Sequence, residues 1–517
     1  MKYYGATLPA PTDVTKLLSR GLSLFPDKTA LVTEDGSWSW AELETMSNAY
    51  AGGLLGLGLK PGDRVASYLP NSTKLFIHYL GAIKAGLVAV PLNYRYTHFE
   101  IDHALEVSGA KGIVYDRNRS EIIGATQLVS GLPVKIIADP GTCPGDDDVA
   151  PLLKAAPVAF PERDLDAPIF MFFTSGSTGA AKGVTHTART LNWVISSVAK
   201  GYAISPADRF MSGSSCSHIG GFMTTLATWV EGAMALSPRV GKPLVQLEMM
   251  RKWRPTMVVM LPAALFELER TAQATAEDFA SLRFVGSGGD KVPEQLEREF
   301  TALTGLPIHE VYGMTEIGLS HVNPSSGLAT SGSIGRVSCG YVCEVRNEKG
   351  EPVPQGEEGK LWVKFPGTTT GYWNRPEATA EVYDEDGWFD TGDIVRADEE
   401  GFFYFCGRKK QIIIHDGSNI FPQEVEEALL KHPAVSSAGV IGIHDTVHGE
   451  NVRAYICFKP GEERPSTLDL IAFAFDRVGY KAPEEVVVLD DMPINPTGKV
   501  DRVSLKKLAA STQGSAG

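Results

Sequence analysis

The 517-residue sequence has no long apolar run, few cysteines and no excess of basic charge. No segment approaches the roughly 18 consecutive apolar residues of a membrane-spanning helix, and the N-terminus lacks the apolar core and cleavage site of a secretory signal. We therefore expect a cytoplasmic protein without a membrane span. The net charge of −14 argues against a surface that binds a nucleic-acid duplex, which would need a basic face to neutralise the phosphates, so no nucleic-acid partner is expected.

The six cysteines are scattered along the chain without the paired spacing of a zinc site. Cys339 and Cys343 lie close together in sequence, but no second pair of ligands accompanies them. We therefore expect reduced, mostly buried thiols. With 43% hydrophobic and 21% charged residues, the chain can bury a large core.

Strand-like and helical patterns alternate along most of the chain. A capping-box spacing at 39–42 starts one predicted helix, and a strand (65–69), a helix (72–86) and a strand (88–92) follow. This alternation predicts an α/β fold of helix-covered, mainly parallel sheets. Residues 332–406 change to short, glycine-punctuated β segments, which predict a small β-barrel or sheet. A small α+β unit is predicted after Gly407.

The segment TSGSTGAAKGV (Thr174 to Val184) directly follows a strand-like run. Its glycines, hydroxyls and lysine are suited to surrounding phosphate oxygens with backbone N–H groups, hydroxyl groups and one ammonium. A Walker A loop needs four residues between its first glycine and Gly-Lys-Ser/Thr, and this spacing is not met after Gly179. The sequence thus predicts a nucleotide-phosphate loop of another kind, with an ordinary glycine-rich connection as the alternative.

Four further segments accompany that loop: YGMTE (312–316), WFDTGD (388–393), GRKKQIIIHDGSNIFPQEVE (407–426) and PTGK (496–499). Together, the five blocks resemble the adenylate-forming superfamily of acyl-CoA synthetases, adenylation domains and luciferases. The resemblance implies a large N-terminal domain over residues 1–408 and a mobile C-terminal domain over 409–517. It also implies an enzyme that uses ATP, Mg²⁺ and coenzyme A.

The resemblance implies a role for individual residues as well. The β- and γ-phosphates would be held by Thr174, Ser175, Gly176, Ser177, Thr178, Gly179 and Lys182. The adenine would be flanked by Gly288, Gly289 and Asp290 and stacked on Tyr312, which is followed by Gly313. Lys291 follows these adenine-flanking residues, at a position where proline is frequent in the family. The ribose hydroxyls would be bound by Asp393 and Arg408, which without the resemblance could form a surface ion pair.

The reacting groups are implied in the same way. Lys499 would bridge the acyl carboxylate and the α-phosphate, Thr315 would contact the α-phosphate, and Glu316 would coordinate Mg²⁺. His218 would lie next to the acyl carboxylate, with a satisfied core histidine as the alternative. Gly417 would line the tunnel for the pantetheine arm of coenzyme A.

The stretch SHIGGFMTT (217–225) has no carboxylate that could receive the ammonium of an amino acid. Phe222, Met223, Thr224 and residues 317–320 would form a mainly apolar pocket for an aliphatic or aryl carboxylic acid. The leading hypothesis is an AMP-forming acyl-CoA synthetase. Its alternative passes the acyl group to a carrier protein, an amine or another nucleophile. The acid and the oligomeric state, monomer or homodimer, stay open.

A nucleotide-binding protein without turnover is a further class of hypothesis. It is disfavoured because five reactive-site residues are present together: Lys182, Glu316, Asp393, Arg408 and Lys499.

Overall fold

The computed structural model describes residues 1–513 apart from 9, 139–146, 157–159, 163, 175–180, 271, 324–329, 416–417, 446–448 and 497. The predicted phosphate-loop residues Ser175 to Gly179, and also Gly417 and Cys143, therefore lie outside the described residues. In the described part, the expected α/β architecture is confirmed, and the five described cysteines are free thiols.

An eight-stranded sheet is built from the first part of the described chain. Its central strands are parallel, and the strand that precedes the phosphate loop pairs antiparallel with the strand that follows it. In spatial order the strands are Gly371–Tyr372, Lys182–Thr187, Pro168–Thr174, Val88–Pro91, Arg64–Tyr68, Gly112–Tyr115, Val134–Ile137 and Asp147–Asp148.

A nine-stranded sheet follows the same plan, with a parallel centre and antiparallel edges in the described residues. In spatial order its strands are Arg336–Val337, Gly318–Val322, His309–Met314, Phe284–Gly288, Met257–Met260, Arg209–Ser212, Met234–Leu236, Thr29–Thr33 and Gly36–Ser39. Three of the predicted site segments, GSGGD, YGMTE and the residues that follow it, thus lie on adjacent strands.

The glycine-punctuated region forms a five-stranded antiparallel sheet. Its strands, in spatial order, are Lys2–Tyr4, Val342–Arg346, Gly359–Lys364, Phe389–Ala397 and Phe403–Arg408. The rings of Tyr3 and Phe403, on the two edge strands, meet edge to face at 4.9 Å. The region predicted as a small barrel or sheet is therefore a curled antiparallel sheet, which also includes the strand Lys2–Tyr4.

The C-terminal segment, residues after Arg408, has a separate sheet and its own apolar core. The strands are Ser418–Ile420, Ile413–His415, Gly449–Phe458 and Val435–Asp445, with Glu485–Val488 paired to Gly449–Phe458. The helices Pro422–Leu430 and Thr467–Val478 pack together and against this sheet, and Arg502–Gln513 packs on Val435–Asp445.

The remaining helices cover the two large sheets or lie between them. The capping box at Ser39 is present, with Glu42 N–H donating to Ser39 Oγ at 3.2 Å and Ser39 N–H donating to Glu42 Oε2 at 2.7 Å. None of the helices in the described ranges is long and apolar enough to cross a bilayer. These helices are Ser19–Leu24, Trp40–Gly56, Thr73–Lys84, His98–Ser108, Ser120–Gly124, Val149–Leu152, Ala188–Gly201, Ile219–Val230, Pro243–Trp253, Pro262–Arg270, Ala276–Phe279, Glu294–Thr304 and Pro376–Ala380.

Two helices between the sheets position the site. Ala188–Gly201 and Ile219–Val230 pack on each other and contact strands of the nine-stranded sheet, while Phe222 reaches Phe170 and Phe172 of the eight-stranded sheet. Trp229, at the far end of the second helix, is fully buried and donates from Nε1 to the Ala30 carbonyl at 3.0 Å. The helix Ile219–Val230 is thereby held against the nine-stranded sheet, with His218 at its N-terminus.

Candidate active site

The two ends of the phosphate loop are held together by strand pairing. Thr174 and Lys182 are direct Cα partners in the antiparallel register, so these two predicted phosphate-binding residues lie side by side in the sheet. The Lys182 ammonium lies 4.3 Å from the ring centroid of Tyr372 on the neighbouring edge strand. This cation–π contact directs the lysine towards the YGMTE turn.

Glu316 is a buried carboxylate beside that lysine, with only 5% of the residue exposed. Its Oε1 accepts a hydrogen bond from the Tyr372 hydroxyl at 3.0 Å. Burial raises the pKa of Glu316, and the Tyr372 hydrogen bond, Arg408 and Lys182 act in the opposite direction. Glu316 forms no ion pair with a cationic side chain among the described residues, so a further positive charge would stabilise it.

His186 contacts the YGMTE turn and was not singled out in the sequence. Its Nε2 lies 2.8 Å from the Thr315 carbonyl, and its Nδ1 lies 3.1 Å from Thr190 Oγ1. Because a carbonyl only accepts, Nε2 carries the proton. Burial lowers the pKa of His186 to about 4, so the ring is neutral near pH 7. The only sequence signal would have been a polar residue within a buried strand.

The GSGGD segment and the YGMTE strand approach each other closely. Gly288 pairs with Val311, and a Cβ atom at Gly288 would lie 2.5 Å from the Val311 carbonyl oxygen. Gly289, with φ at +85°, turns the chain out of the sheet, which leaves Asp290 exposed. Likewise a Cβ at Gly313 would meet the Gly318 carbonyl at 2.1 Å. These glycines let the strand His309–Met314, which contains Tyr312, lie close to its two neighbours, Phe284–Gly288 and Gly318–Val322.

Asp393 connects Tyr312, on the nine-stranded sheet, with Arg408, its partner in the five-stranded sheet. The Tyr312 hydroxyl donates to Asp393 Oδ2 at 2.5 Å, and Arg408 Nε lies 2.9 Å from Asp393 Oδ1. The aspartate side chain is 1% exposed, whereas that of Arg408 is 41% exposed. Burial raises the pKa of Asp393 and Arg408 opposes this, while Asp393 raises the pKa of the guanidinium. Asp393 Oδ1 is buried, and among the described residues its contact is with the Arg408 guanidinium.

Lys499 belongs to a turn that projects from the C-terminal segment. This lysine turn, defined as Asn495, Pro496, Gly498 and Lys499, is closed by Gly498 N–H donating to the Asn495 carbonyl at 2.9 Å and Lys499 N–H donating to Asn495 Oδ1 at 3.1 Å. Burial lowers the pKa of Lys499, as does Arg408, while Asp290 and Asp393 raise it. The structure therefore brings the sequence-distant lysine within electrostatic reach of Asp290, Asp393 and Arg408.

His218 is the N-cap residue of the helix Ile219–Val230. Burial, together with the smaller effect of the positive charges of Lys499 and Arg95, lowers its pKa to about 4. The histidine is thus neutral near pH 7 and lies within electrostatic reach of Lys499. The structure therefore brings Lys499 and His218, two of the three predicted catalytic residues, together from distant parts of the chain.

The predicted acid pocket is wrong in part. Phe222 is fully buried, with ring centroids 4.4 Å from Phe170, 5.2 Å from Phe172 and 5.6 Å from Tyr79. A side chain enclosed by aromatic rings cannot form the wall of an open pocket. The same applies to Ile317, which is also fully buried. Sequence adjacency to His218 and Glu316 did not show which way these side chains point.

Ion pairs join the C-terminal segment to the rest of the chain on the outer side of the site. Lys291, which follows GSGGD, pairs with Glu427 of the helix Pro422–Leu430. Lys431 lies 3.0 Å from Glu294, and both side chains are about half exposed, at 45% and 55%. These ion pairs are present in the same arrangement that places the lysine turn in the site.

The fold and this site define an enzyme of the adenylate-forming class. The chain belongs to the AMP-binding enzyme family: residues 18–373 match that family, and residues 424–499 match the AMP-binding enzyme C-terminal domain. A similar sequence is feruloyl-CoA synthase of Amycolatopsis, at 33% identity over 485 residues, covering 93% of this chain and 96% of the relative.

Solved structures show the same similarity. MatB from Rhodopseudomonas palustris with ATP bound matches at a TM-score of 0.87 and 28% identity, covering 96% of this chain and 98% of MatB. The apo form of MatB matches over the same shares with a TM-score of 0.76. The amide bond synthetase McbA from Marinactinospora thermotolerans matches at 0.84 and 25% identity, covering 96% and 99%. The arrangement of this chain is thus more similar to the ATP-bound form of MatB than to its apo form.

Proposed function

We propose that this enzyme is an ATP-dependent carboxylic acid:CoA ligase. A carboxylic acid reacts with ATP to give an acyl adenylate and pyrophosphate, and the acyl group is then transferred to the thiol of coenzyme A with release of AMP. The observation that carries the proposal is the convergence of Lys499 and His218 beside the Asp393–Arg408 pair. The CoA ligase activity in the name of the similar feruloyl-CoA synthase supports it.

The first reaction requires positive charge, because two anions must approach each other. Lys499 supplies an ammonium whose partial removal from water strengthens its interaction with the carboxylate and α-phosphate. Lys182 supplies a second cation towards the β- and γ-phosphates, together with Thr174 and the loop residues 175–179. Thr315 would donate its hydroxyl to the α-phosphate, since its carbonyl is already fixed by His186.

The nucleoside would lie against Tyr312 and the backbone of 288–290. The Asp393 carboxylate and the Arg408 guanidinium beside it would bind the ribose hydroxyls. The tyrosine hydroxyl is already committed to Asp393 Oδ2, so the Tyr312 ring rather than its hydroxyl is left to contact the adenine.

Glu316 fits the role of a Mg²⁺ ligand. It is a buried carboxylate with one neutral donor, and Mg²⁺ is commonly held by one or two carboxylates together with substrate phosphates. When bound, the metal would offset charge on the phosphates. Tyr372 would orient the carboxylate and at the same time position Lys182.

We further propose a two-domain organisation, with residues 1–408 holding the substrates and residues 409–517 turning about the 409–411 segment between the two reactions. The lysine turn would leave the site for the second reaction, and Gly417 would line the path of the CoA thiol. The alternative acceptor, an amine, is kept because the amide bond synthetase McbA shares the fold at a TM-score of 0.84.

The experiment is a hydroxylamine-trapping screen with ATP and Mg²⁺ over short, medium, long and aromatic carboxylic acids. We expect hydroxamate from at least one aliphatic or aryl acid in the absence of CoA, and acyl-CoA from the same acid once CoA is supplied. Hydroxamate without any CoA consumption would favour the alternative acceptor. No hydroxamate from any acid would contradict the proposal.

A further inference from the structure

Asn93 follows the strand Val88–Pro91 and connects three parts of the chain through one amide. Its Oδ1 accepts from Arg95 N–H at 2.9 Å. Its Nδ2 lies 2.9 Å from the Pro496 carbonyl oxygen, in the lysine turn, and 3.1 Å from His218 Nε2. The residue is 5% exposed, so these contacts are shielded from water.

The orientation of this amide follows from its partners. A backbone N–H only donates, so the oxygen faces Arg95; a carbonyl only accepts, so the nitrogen faces Pro496. The nitrogen that remains against His218 is a donor as well, and His218 Nε2 must therefore accept. The ring of His218 is thus neutral with its proton on Nδ1, which agrees with its lowered pKa.

We propose that Asn93 is a positioning residue that docks the lysine turn against His218 in the arrangement that forms the acyl adenylate. Pro496 is three residues from Lys499, and the closed turn transmits its position to the lysine. What the docked lysine then does rests on the proposed function. The docking itself does not.

The contact with Asn93 differs from the ion pairs at the same boundary. Lys431 and Glu294 are half exposed, and such pairs hold two surfaces together only weakly. The Asn93 amide is buried and directional. Its Nδ2 donates two hydrogen bonds whose acceptors lie in different segments, so a small displacement of the turn removes one of them. Because the same nitrogen contacts His218 Nε2 and the Pro496 carbonyl, Asn93 also couples the tautomer of His218 to the docking of the lysine turn.

The test is the substitution Asn93→Asp, which keeps an oxygen for Arg95 N–H but removes both donors. A second substitution, Asn93→Leu, removes the donors without adding charge. The matched control is Asn323→Asp: Asn323 is 1% exposed and also donates two bonds, to the Glu310 carbonyl at 3.0 Å and the Ser333 carbonyl at 2.7 Å, both outside the C-terminal segment.

Docking is measured directly as the distance distribution between two spin labels in the presence of ATP alone. The labels replace the exposed side chains of Glu106 and Lys506 and are attached through ketone-bearing residues. We expect the ratio of docked to undocked molecules to fall about tenfold in both Asn93 variants and to stay within twofold of wild type in Asn323→Asp. An unchanged ratio in the Asn93 variants, or an equal loss in the control, would overturn the proposal.

The two half-reactions give a second readout. Acyl-adenylate formation should fall about tenfold or more in kcat in the Asn93 variants, whereas thioester formation from preformed acyl adenylate should stay within twofold. Equal losses in both would mean that Asn93 is merely structural. If the wild-type enzyme adenylates no acid but the distance distribution still responds to Asn93→Asp, the proposed function fails and the docking role stands.

Discussion

Replacing Lys499 by alanine is the sharpest perturbation of the proposed chemistry. The ammonium lies near Asp290, Asp393, Arg408 and His218, and its removal from water lowers its pKa. At an effective dielectric constant of about 20, two unit charges 4 Å apart interact by about 4 kcal/mol. Removal of one stabilising donor from a transition state costs about 3–4 kcal/mol. At 1.36 kcal/mol per factor of ten, acyl-adenylate formation should slow by about 10² to 10³.

The assay follows the two half-reactions of Lys499→Ala separately, with pyrophosphate exchange for the first and CoA thioester formation from preformed acyl adenylate for the second. Only the first should collapse. The control is Lys506→Ala, since Lys506 is an exposed lysine on the nearby helix Arg502–Gln513 and should change neither rate. Equal losses in both half-reactions would refute the argument, because a lysine that acts only on the adenylation transition state cannot slow the second reaction.

Three further perturbations test other parts of the molecule. Glu316→Gln keeps the shape of the side chain but removes its charge, so the Mg²⁺ concentration for half-maximal pyrophosphate exchange should rise about tenfold; an unchanged titration would reject Glu316 as a ligand. Lys410→Pro restricts φ in the 3₁₀ turn Lys409–Gln411, so pyrophosphate exchange should persist while CoA thioester formation collapses; normal CoA turnover would reject a hinge there. Glu310 is 6% exposed, and burial raises its pKa from 4.5 to about 8. Its contribution to the free energy of unfolding is therefore fully present below about pH 4.5, and about 3 kcal/mol of it is lost by pH 7. In Glu310→Gln the urea midpoint should therefore depend less on pH between 5 and 8, and equal pH dependence in both proteins would contradict the pKa shift.

The sequence was most informative where local pattern determines structure. The helix predicted at 72–86 is Thr73–Lys84, and the strand predicted at 65–69 is Arg64–Tyr68, because apolar periodicity and turn residues act over a few positions. The order of the motifs also led to the correct family. These signals are local or are carried by residue identity.

What the sequence could not supply was the direction of side chains in three dimensions. Phe222 was predicted to line a pocket, but its turn of the helix faces the aromatic side chains of a sheet from another part of the chain. Neither His186 nor Asn93 belongs to a sequence motif that would single it out. The ring of His186 contacts the carbonyl of Thr315, and the amide of Asn93 contacts the carbonyl of Pro496, both distant in sequence. Such pairings depend on tertiary packing, which periodicity does not encode.

The central claim, that one site first adenylates a carboxylic acid and then forms a CoA thioester, is tested most directly by the stoichiometry of a single reaction. With an acid selected by hydroxylamine trapping, ATP and CoA, we expect pyrophosphate, AMP and acyl-CoA to form in equal amounts. Omitting CoA should leave acid-dependent exchange of labelled pyrophosphate into ATP. Release of ADP and phosphate instead of AMP and pyrophosphate, or exchange that does not depend on the acid, would contradict the account.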